Sequence, residues 1–85
     1  MLEIKYGRIL RDGVICGYAT YMDGNDKIEL ISVPYKELEC YVNGQRVSCN
    51  AEFIMVWTKV ASWLGQEQIL SKLQPKVKTN EFPRD

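Results

Sequence analysis

The chain contains no histidine. The residue most often used as a general base near neutral pH, and the commonest metal ligand, is therefore missing. No serine or cysteine has an imidazole to activate it, and no glycine-rich phosphate loop is present. These absences point away from an enzyme, and no cofactor or metal is expected. Net charge is also lacking: 11 Lys and Arg balance 11 Asp and Glu. A chain so balanced does not hold nucleic acid by bulk positive charge. No apolar run approaches the ~20 residues of a membrane helix. The longest candidate, Phe53 to Trp57, belongs to an amphipathic pattern. The stretch from Met1 to Tyr6 alternates apolar and polar residues with no basic segment ahead of an apolar one. No signal peptide is expected, and a cytoplasmic location is the reading that follows.

Cysteine is scarce and unpatterned. There are three, Cys16, Cys40 and Cys49, with no CxxC pair. An odd count leaves at least one free thiol, and no histidine can complete a zinc set. The expectation is buried structural thiols in a reducing compartment.

What is present is ordinary for a folded domain. Apolar residues make up 46% and charged residues 26% of 85 residues, which excludes a disordered chain. That length supports one core. Residues 1–75 read as a single α+β domain and residues 76–85 as a polar tail.

Asp12-Gly13 is a hairpin signal, because a type I′ turn wants positive φ at both central positions. Centring the turn there sets Arg11 against Val14, Leu10 against Ile15, Ile9 against Cys16 and Tyr6 against Ala19. One face then carries Leu2, Ile4, Tyr6, Leu10, Ile15, Ala19 and Tyr21, and is predicted to be the core face, with Arg8 opposite Gly17 its one poor fit. The other carries Glu3, Lys5, Ile9, Cys16, Tyr18, Thr20 and Met22. Asp23 to Asp26 is the next turn. Lys27 to Val33 follows as a strand, with Tyr21 facing Ile28 and Ala19 facing Leu30, and Pro34 ends it.

A second hairpin is centred on Asn43-Gly44. Leu38, Cys40, Val42, Val47 and Cys49 share one of its faces; Glu39, Tyr41, Arg46 and Ser48 share the other. Cys40 and Cys49 come out as diagonal neighbours. Diagonal ladder separations of roughly 7–8 Å are at the long limit for a disulfide, so none is expected.

A helix is predicted from an N-cap at Asn50, with Glu52 in its first turn. Phe53, Val56, Trp57, Val60, Ala61 and Leu64 form its apolar stripe. Gly65 breaks phase before Ile69, Leu70 and Leu73, so a kink or a short second helix, stopped by Pro75, is expected. The fold class is α+β: an antiparallel sheet of about five strands followed by a C-terminal helical segment.

Several motifs reduce to simpler readings. Asp23-Gly24-Asn25-Asp26-Lys27 has the outline of a calcium loop, but Lys27 stands where an oxygen ligand belongs and the flanks read as strands. Ala61 and Gly65 fit the start of a helix-turn-helix. The second helix would then offer only Lys72 for phosphates, with Glu67 opposing DNA. Tyr18, Tyr21, Tyr35, Tyr41 and the tryptophans suggest base stacking on a sheet, yet Glu3 and Glu29 lie among Lys5 and Lys27 and cancel the field. Glu37 and Glu39 share a solvated face, where Arg46 is within diagonal reach of Glu39.

One feature resists a simple reading. Ile9, Cys16, Tyr18, Ile31 and Val33 cluster on the sheet face opposite the helix. Leu38, Cys40 and Val42 of the second hairpin are the candidates to cover it; otherwise a partner should. Ile9, Tyr18, Ile31 and Val33 are thus expected at an interface, with Trp63, at the margin of the helical stripe, as a further candidate. The expected function is a non-catalytic protein-binding module, either a homodimer or a stoichiometric binder of a larger protein. By size and composition alone it has the format that phage and mobile elements use for inhibitors and regulators of host machinery. The alternative is a small nucleic-acid-binding or transcriptional regulator.

Overall fold

The computed structural model describes the backbone of residues 2–70 and 78–82 and the side chains of residues 2–66. The architecture is α+β. Strands β1 (Leu2–Arg11), β2 (Val14–Asp23), β3 (Asp26–Ser32), β4 (Glu39–Val42) and β5 (Gln45–Val47) are followed by helix α1 (Ala51–Leu70) and strand β6 (Lys78–Phe82). The sheet is antiparallel throughout, in the order β5-β4-β3-β2-β1-β6. The five strands before the helix are those expected. β6 is an addition: it pairs with Leu2–Tyr6 of β1, within the segment read from sequence as a tail. Lys78-Thr79-Asn80-Glu81 is polar at every position, so it offers no period-two signal.

Asp12 and Gly13 have φ of 52° and 78°, as a type I′ turn requires, and Asn43 and Gly44 repeat the pattern at 52° and 83°. The expected register holds: Arg11 pairs with Val14, Leu10 with Ile15, Ile9 with Cys16 and Tyr6 with Ala19. Tyr21 pairs with Ile28 and Ala19 with Leu30. The turn between β2 and β3 is tighter than expected, since Asp23 already pairs with Asp26.

Helix α1 begins where its cap predicts. The Phe53 N–H donates to Asn50 Oδ1 at 2.9 Å, and the Tyr21 hydroxyl donates to Glu52 Oε2 at 3.2 Å. Phe53, Val56, Val60 and Leu64 are buried against Leu2, Ile4, Tyr6, Ala19, Tyr21, Ile28, Leu30 and Cys40. Trp57 and Trp63 pack at the margins. Ala61 does not join the stripe: it lies about 100° around the helix from Val60 and is exposed. α1 is a single helix on both sides of Gly65, so Ala61 and Gly65 do not separate two helices. Pro75, the expected stop, lies outside the described residues.

The cysteine expectation is corrected. Cys40 and Cys49 form a disulfide with a Cα–Cα separation of 5.7 Å. The diagonal ladder distance did not apply because β5 ends at Val47. Cys49 has already left the ladder and turned toward the helix cap. Cys16 is the free thiol and is buried.

Candidate interaction surface

The buried stripe of the helix, among the described side chains, covers only part of the strands beneath it. From Phe53 to Leu64 the buried stripe spans roughly 16 Å at 1.5 Å per residue, whereas a ten-residue strand runs to about 33 Å. The cover ends at Gly17, where the Trp57 indole and a Leu64 methyl rest on the backbone. Beside it Arg8 Nη2 reaches the Leu64 carbonyl at 3.4 Å. Beyond that line the same sheet face carries Leu10 and Ile15, a cross-strand pair left 73% and 63% exposed. Sequence alternation put both in the core. They are on the correct face but beyond Gly17, where the described stripe of the helix stops covering it.

The neighbouring strands stop short as well. β6 pairs with β1 no further than Tyr6, and β3 pairs with β2 no further than Gly17. Among the described residues, Gly7–Arg11 and Val14–Cys16 therefore form a two-stranded ribbon that projects from the sheet. Such a ribbon is marginal in isolation. Here it is braced on its other face, where Arg11 Nη1 donates to Glu39 Oε1 at 2.5 Å. Tyr41 Oη donates to the same oxygen at 2.8 Å. Those hydrogen bonds, Arg11's first and then Tyr41's, hold the Glu39 carboxyl below its ordinary range, and the same pairing raises Arg11. The expected partner of Glu39 was Arg46. That guanidinium instead sits over the Tyr41 ring, 5.9 Å from its centroid, leaving Glu39 to the ribbon.

The sequence-derived cluster lies on this braced face. Cys16 is buried, with Ile9, Tyr18, Ile31 and Val33 half-buried around it. Tyr18 pairs with Ile31 and its hydroxyl donates to Glu29 Oε2 at 3.3 Å. Leu38, Cys40 and Val42 do not cover the cluster. They pack on the helix side, in or against the main core. The loop between β3 and β4 approaches instead: Val33 and Lys36 border a small cleft with Arg11, Val14 and Cys16. Trp63 sits apart, its ring 5.3 Å from that of Tyr6 at the core margin.

That loop carries the most exposed aromatic among the described residues. Lys36 N donates to Val33 O at 3.1 Å, closing a turn with Pro34 and Tyr35 at its centre. Tyr35 has a φ of 64° and is fully exposed. Glycine or asparagine is the usual occupant of such a position. A bulky aromatic held there is strained and gains no burial in return. Sequence reasoning grouped Tyr35 with the other tyrosines. The signal available was Pro34 immediately before it, which favours a type II turn with positive φ at the next residue.

Elsewhere on the second face, Glu3, Lys5, Thr20, Met22 and Lys27 border one open cleft, and the mixture of charges is the one expected. No group of three His, Cys, Asp or Glu side chains that could hold a metal occurs among the described residues. No helix among them is long and apolar enough to cross a membrane.

No protein-family model, curated protein or solved structure matches this chain. The surface therefore stands on its own geometry: an apolar ribbon, bare on the helix side, flanked by Arg8, Arg11 and a strained, exposed tyrosine.

Proposed function

We propose that the chain is a non-catalytic protein-binding module, a small inhibitor or regulator that docks on a larger protein through the β1–β2 ribbon. The observation that carries this reading is the exposed Leu10–Ile15 pair. A small domain has little stability to spare. Large aliphatic residues paired across a projecting ribbon add little to its core, and burying them on a partner would gain hydrophobic free energy. The ribbon extends beyond its neighbouring strands, which suits an apolar groove better than a flat face. Arg8 and Arg11 at its edge, with Tyr35 nearby, are residue types enriched where binding energy concentrates. Ile9 and Val33 extend the surface around the ribbon, and Tyr18 and Ile31 continue it along the second sheet face. Trp63 takes a secondary place because it already packs on Tyr6.

The test is affinity capture from nuclease-treated extract, with wild type and a Leu10→Asp, Ile15→Asp variant compared side by side. The reading expects one protein retained by the wild type and lost by the folded variant. Mass by light scattering distinguishes the outcomes. A wild type that forms a dimer abolished by the same substitutions would make the partner a second copy. Capture that disappears with nuclease treatment would favour nucleic acid instead.

A further inference from the structure

We infer that the Cys40–Cys49 disulfide is a thiol–disulfide exchange site, opened by small-molecule thiols through Cys49. The inference is independent of the protein-binding reading. It starts from the asymmetry of the bond. Cys40 is 0% exposed and belongs to the main core. Cys49 is half-buried and borders an open cleft of about 680 Å³ with Glu37, Leu38, Arg46, Val47 and Ile54. Exchange needs a thiolate to approach one sulfur directly. Cys49 can be approached from the cleft; Cys40 is enclosed by packed side chains.

The position of Cys49 agrees: it immediately precedes the cap residue Asn50, where the chain leaves the sheet and enters α1. Once reduced, the Cys49 thiol can donate to the Leu38 carbonyl oxygen, 3.1 Å from its sulfur, which stabilises the opened, protonated form. Cys16 cannot intervene. It is buried and lies outside the main core cluster, on the opposite face of the sheet.

The step balances as follows. A small thiolate attacks Cys49 Sγ and forms a mixed disulfide with it. The Cys40–Cys49 bond breaks, and its electron pair leaves on the Cys40 sulfur, which takes a proton from water. A second thiolate then attacks the small-molecule sulfur of the mixed disulfide, releasing a small disulfide and the Cys49 thiolate. Two thiols supply the two electrons that reduce the bond, and a small disulfide reverses the sequence. The bond ties β4 to the residue before the helix cap, so its redox state sets how firmly the first turn of α1 is held to the sheet.

The experiment uses the full chain in native buffer with mixtures of reduced and oxidised glutathione as the probe. Samples are acid-quenched, alkylated and mapped by mass spectrometry. The expected adduct is glutathione on Cys49, with none on Cys40 or Cys16. In a Cys40→Ser variant Cys49 should accumulate a stable adduct. In a Cys49→Ser variant Cys40 should react more slowly by about tenfold or more. If either variant loses its near-ultraviolet circular dichroism, the site of the adduct trapped on the wild-type chain decides. An adduct on Cys40, equal labelling of both cysteines, or no exchange until denaturant is added would overturn the inference.

Discussion

Gly17 lies directly beneath the indole of Trp57: a β-carbon at position 17 would sit 2.6 Å from Trp57 Cη2 and 2.9 Å from Cζ2. The glycine is there for space rather than for an unusual backbone angle. Its empty side allows the edge of the helix to settle on the sheet, and it marks the last position on β2 that the helix covers. Everything beyond it on that face, Ile15 on β2 and Leu10 on β1, is left to solvent. One close contact thus divides a single sheet face into core and exposed ribbon.

Gly17→Ala should therefore destabilise the fold by about 1–3 kcal/mol, the usual cost of forcing a methyl group into a packed site. Chemical denaturation measures it. The cost should shrink when Trp57 is replaced by Leu, because the clashing ring is then gone. Equal costs in the two backgrounds would mean that the indole is not what excludes a side chain at position 17.

Tyr35→Gly should act in opposite directions on stability and binding. Glycine relieves a strained positive φ and should stabilise the chain by about 1 kcal/mol. It also removes a fully exposed aromatic beside the ribbon, so partner capture should weaken. A loss of stability would show that the tyrosine supports the loop rather than the partner.

Reducing the Cys40–Cys49 bond should lower stability by about 2–3 kcal/mol, the value expected from the short loop it closes. Urea midpoints with and without reductant report this directly. Coincident midpoints would mean that the bond contributes nothing to holding the helix on the sheet.

The Arg11–Glu39 pair makes a signed prediction for pH. Glu39 is held below its ordinary range chiefly by the Arg11 hydrogen bond. A depressed folded value means the pair's stabilisation is fully present above the ordinary carboxylate pKa. It is lost as pH falls through the lowered folded value. Carboxyl NMR should find Glu39 titrating below the ordinary carboxylate range, and Arg11→Gln should move it back up. An unchanged Glu39 titration in that variant would assign the shift to Tyr41 instead.

Much of this fold was legible in the sequence because its turns are chemically explicit. Asp12-Gly13 and Asn43-Gly44 fix two registers, and period-two alternation then sorts Ile4, Ala19 and Leu30 onto one face. Asn50 announces the helix. The remaining features depend on lengths and ends that periodicity does not carry. Alternation assigns Leu10 and Ile15 to the helix side but cannot say that the pair is left exposed there. A ladder rule treats Cys49 as a strand residue when the strand has already stopped at Val47. β6 is polar at most of its positions and has no signature of its own. Alternation also identified the cluster around Cys16 but gave no sign of the exposed Leu10–Ile15 pair near the end of the ribbon.

The most direct test of the ribbon as a binding element is the affinity of the captured partner for the Leu10→Asp, Ile15→Asp variant, measured alongside its thermal melt. The account predicts a melt close to wild type, since both side chains are already largely in water and surface changes seldom exceed about 0.5 kcal/mol. It also predicts a binding loss of about 2 kcal/mol or more, because each carboxylate would have to be desolvated in the partner's groove. Unchanged affinity in the folded variant would contradict it, as would a melt that collapses and so returns Leu10 and Ile15 to the core.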